Sequence, residues 1–227
     1  SYAVESYQSL YLKAYYPIEF MTAVINNFGG FYRTEVYVHE ARMSGAKIHN
    51  PCINKSDLQT NVSGRNIYLG LQHLKSLQSQ LAELIVSERE ENGPYQSLED
   101  FINRVPIGIE GIQTLIFINA FRFTGKQKNE LLIIARLILI NFRPENRNLL
   151  LLQEPVKKYK LPVLERSPFE DAFDEIELLD FPVSVTPFNL LKTSFRGDVM
   201  AKDLTKHHKK TVRMLAYLIS RKHVPTK

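Results

Sequence analysis

Apolar and aromatic positions recur at helical spacing in the first residues, where Ala3, Tyr7, Leu10, Tyr11 and Ala14 form one stripe. Helical spacing makes the tyrosines Tyr2, Tyr7, Tyr11, Tyr15 and Tyr16 better candidates for core packing than for base stacking. Pro17 breaks this pattern and is placed to open a second helix over Ile18 to Asn26, with Glu19 near its start. Phe28-Gly29-Gly30-Phe31 reads as a turn, and Thr34 to Ser44 as a helix stopped by Gly45. From Ile48 to Leu69 the period changes. Turn chemistry at Asn50-Pro51 and Asn54 to Asp57 precedes a short β-hairpin, Leu58 to Val62 and Asn66 to Leu69, joined across Ser63-Gly64-Arg65.

Leu71, Leu74, Leu77, Leu81, Leu84 and Ile85 then make one apolar stripe, closed by the charged run to Glu91 and the breaker Gly93-Pro94. Ser97 with Asp100 resembles a capping box that opens a short helix toward Val105. Ile112 to Ala120 and Lys128 to Asn141 complete a helical part in which two hairpins follow one another between Gly70 and Phe123. Beyond Pro144 the texture loosens. Arg143 to Ser167 reads as a linker, Phe169 to Leu179 as an exposed acidic helix, and Thr211 to His223 as a strand.

Composition sharpens this picture in three ways. The 227 residues are 44% hydrophobic and 23% charged, enough for a sizeable core in one or two small domains. The formal charge of +5 is uneven: from Met200 onward there are eight Lys or Arg against one acid, so this end is basic and the rest slightly acidic. A basic end attracts phosphate backbones. The single cysteine, Cys52, excludes an intrachain disulfide and a thiolate zinc cluster, and reads as a small buried residue in a reducing cytoplasm. No signal peptide and no apolar run of membrane-spanning length is visible. The absent initiator Met and the basic end are those expected of a segment of a longer chain.

The opening stretch SYAVESYQSLYLKAYYPIEFMTAVINN resembles the end of the fingers domain in bacterial DNA polymerase III alpha subunits, the C family of polymerases. The agreement runs through Tyr2-Ala3, Ser6-Tyr7-Gln8, Tyr11 to Ala14, Tyr16-Pro17 and Glu19 to Met21. It continues in order through EARMSGAKIHNPCINKSD, IYLGL, GPYQSLEDFINRV and LIFINAF, and ends in VRMLAYLISRKHVPTK, which is similar to the opening strand of the family's oligonucleotide-binding (OB) domain. The resemblance implies a mainly α fold. Its expected parts are the end of the fingers over 1–69, a tandem helix-hairpin-helix module over 70–142, a linker with the acidic helix over 143–205, and the start of a truncated OB domain from 206. It implies primer–template DNA as partner, with deoxynucleotide, sliding clamp and Mg²⁺ engaged by parts of the polymerase outside this stretch.

Helix-hairpin-helix elements hold phosphates with backbone N–H groups at a glycine-rich turn. The family's K-G-V-G turn falls on Lys75-Ser76-Leu77-Gln78, where both glycines are gone, so weaker DNA contact is expected. Gly108 and Gly111 survive in the second hairpin beside the acidic Glu110, and the glycine of the family's A-G-A-F is Asn119, which tolerates the left-handed conformation. The candidate DNA-contacting set is therefore Lys13, Lys75, Ser76, Gln78, Arg104, Gly108, Gly111, Lys126, Lys128, Lys209 and Lys210.

No catalytic site is expected. The family's catalytic aspartates lie in the palm, and no comparable D-x-D pattern occurs here. Glu170-Asp171 with Asp174-Glu175 reads as solvated acid rather than as metal ligands, and His207-His208 with His223 as solvated imidazoles. Phosphate-loop and nucleophile-elbow motifs are absent. No cofactor is expected in this stretch, and transferase activity belongs to the intact polymerase. A protein-interaction scaffold that has lost DNA binding is the rival reading.

Overall fold

Pro17 divides the first two helices. α1 runs Tyr2–Tyr15 and α2 Pro17–Asn26, with the proline in the first turn, where its missing N–H leaves no helical bond unmade. α3 (Thr34–Met43) ends at Ser44, as the stop at Gly45 predicts. The structure is a computed structural model and describes residues 2–28, 30–141, 167 and 169–221. Two compact units divide it, Ser1–Ser184 and Val185–Lys227.

In the first unit a small sheet follows α3. β1 (Lys47–His49) pairs parallel with β3 (Asn66–Tyr68), and β2 (Asn61–Ser63) pairs antiparallel with β3, giving the order β1-β3-β2. Ser63 lies opposite Asn66, so the loop is the two residues Gly64-Arg65, one fewer than the sequence pattern suggests. β2 also starts later than Leu58, because Asn26 clamps Thr60 through two hydrogen bonds, from Nδ2 to its carbonyl at 2.8 Å and from its N–H to Oδ1 at 2.7 Å.

The helical part is built from α4 (Ser79–Asn92), α5 (Leu98–Arg104), α6 (Ile109–Phe117), α7 (Lys128–Asn141) and α8 (Glu170–Leu179). The fold is mainly α, with eight α-helices and one small sheet among the described residues. Ile25, Leu69, Leu71, Ile85, Phe101 and Phe121 are fully enclosed in one core that joins the sheet end of the unit to the helical hairpins. Tyr95, Phe101 and Phe121 stack edge to face through it, with centroids 5.0 and 5.2 Å apart. A satellite core of Met21, Ala41, Ala46 and Ile67 sits beneath α2 and α3.

Asn119 stands at φ +63, taking the left-handed position of a Schellman stop: Ala120 N–H reaches the Leu115 carbonyl at 2.8 Å and Asn119 N–H the Ile116 carbonyl at 2.9 Å. The Ser97 cap also forms, its hydroxyl accepting from Asp100 N–H at 3.1 Å. The Asp100 carboxylate reaches Gln96 N–H rather than closing the box on Ser97.

Three further expectations are corrected. The tyrosine face of α1 is not core: the helix buries no residue, and its rings lie on one another, Tyr11 to Tyr15 at 4.5 Å. The leucine stripe is shared between elements: residues Leu71–His73 form a 3-10 turn, a non-helical turn follows through Gln78, and helix begins at Ser79. The acidic helix α8 is amphipathic and packed, with Ala172, Glu175, Leu178 and Leu179 buried. The strand foreseen over 211–223 is reduced, among its described residues, to one bridge between Gly197 and Met214. The linker foreseen over 143–167 and His223 lie outside the described residues, Ser167 excepted.

Candidate nucleic-acid interface

The first hairpin turn is Lys75 to Gln78. Leu77 is buried and anchors it, which leaves Lys75, Ser76 and Gln78 facing solvent immediately before α4. None of the four takes positive φ, so the turn is closed without the conformation that the missing glycines would supply. Gln78 occupies the N-cap position of α4 but makes no side-chain cap. Lys75 is held from two sides: its N–H donates to the Leu178 carbonyl at 3.3 Å, and its ammonium pairs with the Asp180 carboxylate. Both partners belong to the C-terminal end of α8.

The second hairpin runs from α5 through Val105 to Gly108 into α6. Gly108 caps α6 in extended conformation, with open space where a side chain would stand. Gly111 serves packing instead. A Cβ there would lie 2.8 Å from Ile107 Cγ1 and 2.9 Å from its Cδ1, so its absence leaves room for the Ile107 side chain to fold over the start of α6. Arg104 is internal hardware. Its guanidinium bonds Glu88 Oε1 at 3.0 Å and the Glu88 and Gly93 carbonyls at 2.9 Å each, and lies 4.3 Å over the Tyr95 ring. Those bonds tie α5 to the end of α4 and leave little of Arg104 for a phosphate.

α7 brings two further candidates. Lys126 stays exposed and pairs with Glu130 one turn on at 2.6 Å. Lys128 is only 4% exposed, gripped by Asp171 at 2.6 Å and Asp174 at 2.5 Å, both from α8. Burial holds the Asp174 carboxyl above the usual carboxylate range, against the downward pull of Lys128. α8 is itself bolted down by Glu175, 1% exposed, which accepts from Asn50 Nδ2 at 2.6 Å, Val183 N–H at 2.6 Å and Ser184 N–H at 2.7 Å. Arg42 completes the joint by donating to the Val183 carbonyl.

The structure thus brings Lys75 and Lys128 to one acidic helix and turns Arg104 inward. Lys13 stays exposed and pairs with Glu40 at 3.3 Å. Lys209, at φ +58, and Lys210 are exposed in the second unit. Sequence reasoning missed the partners Asp171, Asp174 and Asp180, because their charges read as solvated. It also passed over Lys47 and Arg65 at one end of the sheet and Lys55 nearby, all exposed and without a carboxylate within 4.0 Å among the described residues. The absence of acids nearby in sequence was a usable signal for Lys47 and Arg65, though not for Lys55, which Asp57 follows. No group of three or more His, Cys, Asp or Glu suited to a metal occurs among the described residues.

A helix-hairpin-helix motif family matches residues 45–131, the sheet and both hairpins through the start of α7. The chain is 36% identical over 107 residues to the DNA polymerase III subunit alpha of Thermus aquaticus, covering 47% of this chain and 9% of that protein. It is 34% identical over 136 residues to the same subunit of Staphylococcus epidermidis, covering 58% of this chain and 13% of that one. An error-prone DNA polymerase of Mycobacterium tuberculosis is 32% identical over 138 residues, 60% of this chain and 13% of its own length. Residues 45–131 are thus similar to a helix-hairpin-helix motif family, and about half of the chain is similar to a segment of bacterial DNA polymerase III alpha subunits. It spans about a tenth of the length of these relatives.

Proposed function

We propose that this chain is a DNA-holding segment of a bacterial replicative-type polymerase, one that positions the primer–template duplex while other parts of the polymerase perform nucleotidyl transfer. The observation that carries this reading is the helix-hairpin-helix match over 45–131, the stretch that folds as the sheet and two successive helical hairpins. Hairpin turns of this kind approach the phosphate backbone and carry no base readout, so binding should be indifferent to sequence. Gly108, with open space above its backbone, and the exposed Lys75, Ser76 and Gln78 are the positions from which phosphate contact would be made. Mg²⁺, deoxynucleotide and sliding-clamp contacts are assigned to the rest of such a polymerase, acting in the cytoplasm.

The test is a titration of a fluorescent primer–template duplex with the chain, followed by anisotropy across a salt series. Micromolar or tighter binding that weakens with salt is expected, with further weakening in Lys75→Ala and Lys126→Ala. Absence of binding at low salt would defeat it.

One observation favours a second reading, a protein-interaction scaffold. Lys75 and Lys128 are both engaged by carboxylates of α8, so part of the hairpin charge is already neutralised within the chain. A scaffold would capture a protein partner with little salt dependence, whereas a phosphate clamp would not.

A further inference from the structure

We infer that Asp180 is a built-in competitor for the phosphate that Lys75 would hold, so that α8 sets the DNA affinity of the first hairpin turn. This inference rests on the DNA-holding role proposed above and assigns a regulation to the same turn.

Two lysines of the hairpin module meet α8, and their surroundings give them different fates. Lys128 is enclosed, 4% exposed between Asp171 and Asp174, and duplex cannot reach it while α8 is docked. Lys75 and Asp180 are open to water, with side chains 52% and 65% exposed. An exposed ion pair is weak because water and salt screen it, so an incoming phosphate can displace the carboxylate. The pair is therefore a competition and not a block.

The competitor is also held in place. Leu178 and Leu179 are buried, Glu175 is fixed by four backbone and side-chain donors from Asn50, Val183 and Ser184, and Leu178 accepts the Lys75 N–H. A carboxylate tethered this way has a high effective concentration at Lys75. Asp180 occupies the C-cap of α8 at φ +74, a left-handed position that glycine fills at least cost. An acid stands there, at the point from which its oxygen reaches the Lys75 ammonium.

The position provides a clean test. Asp180→Asn keeps size and left-handed tolerance, and Asp180→Gly keeps the helix stop with less backbone strain, so neither change threatens the fold. Both variants should bind the primer–template duplex about two- to fivefold more tightly at low salt, the equivalent of one exposed ion pair. The gain should vanish in a Lys75→Ala background and fade as salt rises. Thermal melts monitored by circular dichroism confirm that each variant is folded. Unchanged affinity in both variants, or a gain that persists without Lys75, overturns the competitor while leaving duplex binding itself intact. A failure of every variant and of the parent chain to bind overturns the DNA-holding role as well.

Discussion

Glu175 shows how a residue's sequence neighbourhood can hide its task. It stands among acids on an acidic helix, yet its carboxylate is buried and gathers the N–H groups of Val183 and Ser184 and the amide of Asn50. Removing it leaves those donors enclosed without an acceptor, a cost larger than the loss of one net hydrogen bond. Glu175→Ala should lower unfolding free energy by about 3 kcal/mol in urea melts, and Glu175→Gln by less, since the amide oxygen still accepts. A second residue sets a pH response. Burial pushes the His73 imidazole down from 6.5 to about 4, and its Nε2 lies 3.0 Å from the Thr60 hydroxyl, which already accepts from Gly70 N–H. The folded chain thus keeps His73 neutral while the unfolded chain protonates it near 6.5, so the unfolded state binds more protons between these values. Stability is full above pH 6.5 and declines as pH falls toward 4, by on the order of 2–3 kcal/mol in all. Denaturation midpoints measured from pH 7.5 to 4 should fall in step, and His73→Gln should flatten that part of the curve.

At the scale of elements, α8 is the piece whose meaning changes most. Its composition reads as a solvated acidic helix, but Ala172, Leu178 and Leu179 fall on one face and bury against the hairpin module. Lys128 is the electrostatic half of that joint. Lys128→Met keeps the buried stem and removes the charge, leaving Asp171 and Asp174 facing each other across an apolar side chain. The variant should lose about 2–4 kcal/mol of stability, while its affinity for duplex, measured well below the melting temperature, should stay unchanged. An equal loss of affinity would show instead that Lys128 reaches DNA. α1 makes the complementary point. Its apolar spacing is truly helical, yet Tyr2, Tyr7 and Tyr15 are largely exposed, because periodicity tells which face is apolar and says nothing of what lies against it.

Across the whole molecule, charge pairing sets how strongly salt should act. A lysine that trades a carboxylate for a phosphate releases few counterions, so Lys13, Lys75 and Lys126 contribute little to the salt dependence. Exposed cations without a carboxylate partner among the described residues, such as Lys47, Lys55 and Arg65, would contribute in full wherever they meet a phosphate. The logarithm of the binding constant should fall against the logarithm of salt with a slope of about −3 to −5, and a slope near −10 would mean that the internal pairs do not persist in solution.

The sequence by itself determined the elements whose signals are local. Pro17, the Ser97 cap, Asn119 in the left-handed stop and the full extent of α7 each depend on a few neighbouring residues, and each appears where the pattern puts it, while the hairpin turn falls within one residue of its expected bounds. The helix-hairpin-helix order was legible for the same reason, together with the resemblance along the chain. What only the tertiary structure decided is which charges meet. Lys75 and Asp180 are 105 residues apart, and Lys128 and Asp174 are 46 apart. Pairing at such range depends on how α8 folds back, and no local spacing encodes that. The fates of Arg104, turned inward over Tyr95, and of the α1 tyrosines, left outside, follow from the same cause: burial belongs to the packed assembly of elements, and the pattern along one element only makes it available.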